Sequence, residues 1–290
     1  MLSQSRHKAD LDWCINSPGL VHNENSSVIW PDDNWFKSIH VSEQISNFPQ
    51  PRHSHHFRLG KHFEELLICW LRQDDEFSLI QANYQVFDKK RTVGEFDFLL
   101  SHLGQVEHWE VAIKFYLGLP NTRNANHWHG PNTTDRFDLK YNHLSNHQLK
   151  LAGNPFGKQA LDALKLKVST VRCIIKGRLF FPWQQYLSGE FEVPDVINSH
   201  HEKGWWIDEA DIPDNDFKRI VYLEKQHWLS PITKNDPLMV MDLPRLREFL
   251  HSPSIEQATH VALVDESGDE MSRGFIVKPI WRQRAAQNQA

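Results

Sequence analysis

Two stretches that alternate apolar and polar residues constrain this chain more than anything else in it. They are Gly94-Glu95-Phe96-Asp97-Phe98-Leu99-Leu100 and Trp109-Glu110-Val111-Ala112-Ile113-Lys114-Phe115. A period of two is the pattern of a half-buried strand. The gap between them is centred on Leu103-Gly104, so the spacing predicts a hairpin folded about that dipeptide. Asp97 and Glu110 are then equidistant from the fold and face each other. Directly opposed residues on an antiparallel pair have Cβ atoms roughly 4.5–5.5 Å apart, and like charges there destabilise the sheet. A cation between them removes the conflict.

With 290 residues and 40% hydrophobic composition, the chain has the material for one large domain or two modest ones. Eleven Trp and 17 Phe exclude a disordered polymer. Cys14, Cys69 and Cys173 are widely spaced and form no CxxC pair, which argues against a disulfide framework or a cysteine zinc site and fits a reducing compartment. No apolar run reaches the length of a membrane span, and the N-terminus has no apolar signal core. The expected location is cytoplasmic.

Taken in order, residues 1–54 read as an irregular N-terminal arm. It holds a short helix at Ala9–Ile15, punctuation at Pro31, Pro49 and Pro51, and a histidine cluster at His53, His55 and His56 that reads as surface or cap residues. Leu59, Phe63, Leu66, Leu67, Trp70 and Leu71 make one apolar helical stripe. Gly60 at its start is a candidate for close backbone approach. A strand at Ser78–Phe87 precedes the hairpin. A polar loop from Gly118 to Thr134 follows it and carries His127, Trp128 and His129; such long loops are often functional. A helix from about Thr134 to Leu149, a break at Asn154–Gly157, a helix over Lys158–Leu166 and a buried strand over Val168–Phe181 complete an α-β-β-β-α-β order. Short strands are expected at Gly204–Ile207, His260–Asp265 and Gly274–Trp281, with a helix at Pro244–His251 and a frayed end after Arg282. The fold class is α/β with a mixed (α+β) sheet. The division is an arm over 1–54, a core over 55–185, and a C-terminal extension or small domain over 186–290.

Glu64 on the first helix, Asp97 and Glu110 on the hairpin, and Lys114 on the face of Glu110 therefore gather in one neighbourhood. Carboxylates from separate elements form an oxygen-ligand site for Mg²⁺ or Mn²⁺, which keeps waters and accepts a substrate phosphate. Glu95 shares the face of Asp97 and is the alternative ligand. Asp138, His127 and His129 are further candidates.

The element order, the Gly60–Glu64 helix, the Asp in Gly-Glu-Phe-Asp-Phe and the following Glu…Lys strand resemble the PD-(D/E)XK nuclease superfamily. Within it the chain resembles a bacterial family designated DUF1853, to whose C-terminal part Trp228-Leu229-Ser230-Pro231 and Arg273-Gly274-Phe275 would belong. The resemblance implies a restriction-endonuclease-like core over about residues 55–182. It also implies metal ligands Glu64, Asp97 and Glu110, an assisting Lys114, and a polar residue, Lys158 or Gln159, from the helix after the meander. One position departs from the pattern. The superfamily carries lysine two residues after the acid, where this chain has Ala112; Lys114 lies two further on, its Cα about 13 Å from that of Glu110 in an extended strand.

Charge distribution points the same way. Between Arg136 and Arg178 stand nine Lys or Arg against two Asp, inside a chain of net charge −5. Such a block is either a solvated helix face or a local polyanion site. On the second reading Arg136, Lys158, Gln159 and Lys165 contact nucleic acid, DNA first and RNA as the alternative, and Trp128 stacks on a base. The expected function is Mg²⁺-dependent phosphodiester hydrolysis. The competing expectations are an inactive module of the same fold that binds nucleic acid or protein, and an interaction protein using exposed C-terminal tryptophans.

Overall fold

The hairpin closes as the alternation requires. β2 (Arg91–His102) and β3 (Gln105–Gly118) pair antiparallel, from His102 with Gln105 up to Phe98 with Trp109. Leu103 and Gly104 form the two-residue turn, both with positive φ (49° and 75°), which is what the hairpin turn matching strand twist demands. The structure is a computed structural model, and it describes residues 3–23, 27–39, 41, 45, 48, 57–252, 255 and 257–288. Pro49, Pro51, His53, His55 and His56 lie outside the described residues.

The fold is mixed α/β. Among the described residues ten strands form one mixed sheet, in the order β1 (Phe77–Asp88), β2, β3, β5 (Val168–Pro182), β6 (Glu202–Asp208), β10 (Glu270–Val277), β9 (Ala258–Val264), β7 (Ile220–Tyr222) and β8 (Val240–Met241), with β4 (Trp128–His129) paired to β3. The chain divides into two compact units interleaved in sequence. The first comprises Met1–Ile113, Lys140–Lys176 and Val196–His200, and the second Lys114–Leu139, Gly177–Asp195 and His201–Ala290.

In the first unit, α1 (Gln4–Asn16) begins at a Ser3 cap whose hydroxyl accepts from Arg6 N. It packs on α3 (Leu59–Leu71), while α2 (Asp33–Ser38) supplies Phe36 to the interior. The predicted stripe of α3 is the buried one: Phe63, Leu66, Leu67, Trp70 and Leu71 are all buried. Gly60 has open space where a Cβ would stand, so the expected close approach is absent; it sits on the exposed first turn of the helix. β1 (Phe77–Asp88) pairs antiparallel with β2. α4 (Phe137–Asn146) ends earlier than predicted and is followed by a 3-10 turn, Gln148–Gly153. The supposed break at Asn154–Gly157 instead starts α5 (Pro155–Ala163). The Asn154 side chain accepts from Phe156 N at 2.9 Å, and Pro155 takes the first helical position, where its missing N–H costs nothing. A Cβ on Gly157 would fall 1.9 Å from Leu151 O, so only glycine lets α5 pack on that turn.

β5 (Val168–Pro182) is buried continuously from Arg172 to Phe181, as its apolar run predicts. Its cations are internal. Arg172 makes two bonds to Glu107, at 3.1 and 3.2 Å, and lies over the Trp35 ring. Lys176 donates to Ile15 O at 2.9 Å and to Ser17 O, above Phe36. Arg178, in the second unit, pairs with Glu202. The basic block is therefore not one solvated face. Part of it satisfies buried acceptors, because a guanidinium or ammonium inside a sheet must be paired.

The second unit holds β4 (Trp128–His129), α6 (Trp183–Ser188), β6 (Glu202–Asp208), β7 (Ile220–Tyr222), β8 (Val240–Met241), α7 (Leu243–Leu250), β9 (Ala258–Val264), β10 (Glu270–Val277) and α8 (Pro279–Gln287). Two expectations change here. The last strand stops at Val277, and Pro279 opens a helix that buries Trp281 and Ala285, one turn apart; the end is not frayed there. The C-terminal tryptophans are core, not surface: Trp205, Trp206, Trp228 and Trp281 are all buried. The Trp228–Ser230 and Arg273–Phe275 stretches meet. Buried Arg273 donates to the carbonyls of Trp228 (2.7 Å), Leu229 (3.3 Å) and Ser230 (2.8 Å) while ion-paired with Glu270. Trp128 is also buried; its indole N–H donates to Thr122 O at 2.8 Å and its ring meets Phe181 edge-on. That position removes it as a stacking platform for a base.

Candidate functional site

The β2–β3 ladder ends at Phe98–Trp109, and Asp97 and Glu110, the next residue on each strand, remain near enough for their carboxyls to act on each other. Asp97 Oδ2 accepts from the Val111 backbone N–H at 2.9 Å. Glu110 is buried, and Gln148 from the 3-10 turn after α4 donates its side-chain amide to Glu110 Oε1. Lys140 on α4 donates to the carbonyl oxygen of the same Gln148 at 3.0 Å. A lysine, a glutamine and a glutamate thus form one chain of hydrogen bonds ending at the carboxyl pair. Glu110 Oε2 accepts from no N–H among the described residues and lies 3.6 Å from His108 Nε2; the hydrogen bond between the Glu110 and Asp97 carboxyls requires a proton on one of them.

Electrostatics follow from burial. Burial, then the nearby Glu110 carboxyl, pushes the Asp97 pKa up to about 8, and the Val111 N–H holds it back only in part. Glu110 is raised to about 7 by burial, with Lys140 as the chief opposing influence. His108, fully buried with its ring edge-on to Phe96, is lowered to about 4 by burial against the pull of Asp97, so it is neutral at pH 7. Near neutrality the carboxyl pair keeps protons unless another cation takes their place.

Glu64 reaches the same unit from α3 but is held at the rim. It accepts from Asn83 Nδ2 at 2.9 Å and from Lys61 Nζ at 3.3 Å. Asn83 Nδ2 also reaches Glu95 Oε1 at 3.4 Å, and Lys61 bonds Asn83 Oδ1 at 3.2 Å. Among the described residues no three His, Cys, Asp or Glu side chains converge as a ready metal cage. The donor set nonetheless fits a hard cation. Two adjacent carboxyls that share a proton when no cation is present suit Mg²⁺, which commonly takes one or two protein carboxylates and completes its shell with water and phosphate.

The other predicted residues are placed as follows. Lys114 belongs to the second unit, where its ammonium is ion-paired with Asp135; Tyr116 donates to the same carboxylate at 3.4 Å. Arg136 is tied to Asp138 at 2.7 Å and to the Asn288 carbonyl. Lys158 and Gln159 are exposed on α5, and Lys165 is exposed in the turn after it. His127 bonds Pro120 O at 2.6 Å, and His129 is buried on β4. Sequence reasoning missed Asn83, His108, Lys140 and Gln148. Only Lys140 carried a signal, as a member of the basic block.

A family model described as a domain of unknown function, DUF1853, matches residues 9–277. The chain belongs to the DUF1853 family. That assignment covers the carboxyl pair, the Lys140–Gln148 chain and the Arg273 cluster alike. No curated protein and no solved structure matches the chain.

Proposed function

We propose that this DUF1853 chain is a Mg²⁺- or Mn²⁺-dependent nuclease that hydrolyses phosphodiester bonds of DNA, with RNA as the alternative substrate. The observation that carries the reading is the pairing of half-buried Asp97 with buried Glu110 and the Lys140–Gln148 chain attached to it. The resemblance of the helix, meander and acid spacing to PD-(D/E)XK nucleases supports the same chemistry. Asp97 and Glu110 hold the ion, with Glu64 as the outer carboxylate. When bound, the ion supplies Lewis acidity toward a phosphoryl oxygen and acidifies water. The Val111 N–H orients Asp97, and Gln148 orients Glu110. Lys140 offsets the negative charge of the pair and stabilises charge developing on phosphate. Exposed Lys150, Lys158, Lys165 and Lys167 of the same unit, beside Gln159, meet the nucleic-acid backbone.

Calorimetric titration of Mg²⁺ and Mn²⁺ into the native chain, Asp97→Asn and Glu110→Gln, run beside cleavage of duplex and single-stranded DNA, tests this. Binding and cleavage in the native chain, both lost in the variants, uphold it. A native chain that binds neither ion, with or without DNA, removes it.

One observation favours a second reading. The lysine position after the acid is Ala112, and Lys114 is engaged by Asp135. A nuclease-fold module that binds nucleic acid or a protein partner without turnover would show salt-sensitive DNA binding or partner capture and no cleavage with either ion.

A further inference from the structure

In the interior of β1 one residue abandons extended geometry. Asn83 has φ of 52°, the left-handed region that non-glycine residues rarely occupy and that Asn tolerates better than most. The β1–β2 ladder steps from Ala82–Phe98 to Tyr84–Phe96, so Asn83 falls opposite Asp97. Its side chain binds two carboxylates from different elements: Glu64 of α3 at 2.9 Å and Glu95 of β2 at 3.4 Å. Lys61 closes the group by donating to Asn83 Oδ1 and to Glu64.

Strained backbone in a strand persists only where surroundings enforce it, and it concentrates at functional sites. Here the bend has a definite geometric result. In this conformation the Asn83 amide lies on Glu64 and Glu95. Glycine would satisfy the bend equally well but carries no amide.

We propose that Asn83 is a positioning residue of the carboxylate centre, holding Glu64 and Glu95 at the rim of the Asp97–Glu110 pair. This rests on the cation-binding reading of the same site. Asn83 touches neither ion nor phosphate. It acts through Glu64, whose carboxylate it orients as the outer partner of the ion, in the way that hydrogen-bonded outer-shell groups tune metal affinity.

The test separates bend from amide. Asn83→Gly keeps the bend and deletes the amide; Asn83→Ala deletes the amide and strains the bend. Melting temperature and Mn²⁺ affinity by calorimetry are measured for both, for Glu64→Gln, and for the Asn83→Gly/Glu64→Gln double variant. The proposal expects Asn83→Gly to melt at or above the native temperature yet bind Mn²⁺ roughly tenfold more weakly. It expects the double variant to bind no more weakly than Glu64→Gln alone. Asn83→Ala should lower the melting temperature. Native Mn²⁺ affinity in Asn83→Gly overturns the proposal and leaves the cation site standing, as do losses that simply add in the double variant. A native chain that binds no Mn²⁺ overturns both.

Discussion

Gln148 donates its amide to Glu110 from an element 38 residues further along the chain, and it is itself held by Lys140. A buried carboxyl with this support has a charge state that depends on the lysine. Lys140→Met should therefore raise the Glu110 midpoint above about 7, since Lys140 is the main influence holding it down. Gln148→Leu should do the same to a smaller extent. Carboxyl-carbon NMR titration reads both, and an unchanged midpoint in Lys140→Met would show that the lysine lies too far away to matter.

Stability of the metal-free chain should fall as pH rises. Asp97 and Glu110 have folded pKa values near 8 and 7, above their ordinary values of 3.8 and 4.5, so the folded chain holds those protons more tightly. Their contribution is full below about pH 4 and is lost as pH rises through 7 and 8. Asp97→Asn removes most of that slope and should be more stable than the native chain at pH 8 by at least about 2 kcal/mol. Urea unfolding at pH 5 and pH 8 checks this; parallel losses in both proteins would refute it.

Cation binding should expel those protons. At pH 6 Mn²⁺ uptake should release on the order of one to two protons, and at pH 9 close to none. Calorimetry in buffers of different ionisation enthalpy counts them directly. A proton count independent of pH would place the ion away from this pair.

Nucleic-acid affinity should depend on salt through the exposed lysines. Lys158→Ala and Lys165→Ala should each flatten the slope of log K against log salt by about 0.9 on duplex DNA if each contacts a phosphate. Arg136→Ala should leave it unchanged, because that guanidinium is already bound by Asp138. Filter binding over a salt series decides between them.

In the second unit Arg273 is a structural cation. Arg273→Met removes the ion-pair partner of buried Glu270 and the guanidinium donor that reaches the Trp228, Leu229 and Ser230 carbonyls. The expected loss is about 3–5 kcal/mol. Arg273→Lys should recover little of it, since one ammonium cannot span a carboxylate and three carbonyls. Chemical denaturation measures the difference.

Much of the frame was legible in the residues. Alternation and a centred turn dipeptide located the hairpin and its register, because a period of two leaves one face for the core. The α3 stripe and the apolar run of β5 were legible for the same reason. Readings failed where a local signal had two meanings. Asn154-Pro155 looked like a break and is a helix start. Trp128 and the C-terminal tryptophans looked like binding aromatics and are core. Cations of β5 looked like surface charge and serve buried acceptors.

By itself, then, the sequence determined the hairpin that carries Asp97 and Glu110 and its register up to Phe98–Trp109, since turn position and strand period suffice for that. Tertiary structure alone decided what surrounds them. Lys140 and Gln148 arrive from a helix and a turn that no period links to the hairpin, and Lys114 is drawn to Asp135. Asn83 acquires its role from a backbone bend invisible in an otherwise ordinary strand sequence. Hydrogen bonds between distant segments depend on how packed elements meet, and that is a property of the whole fold, not of spacing along the chain.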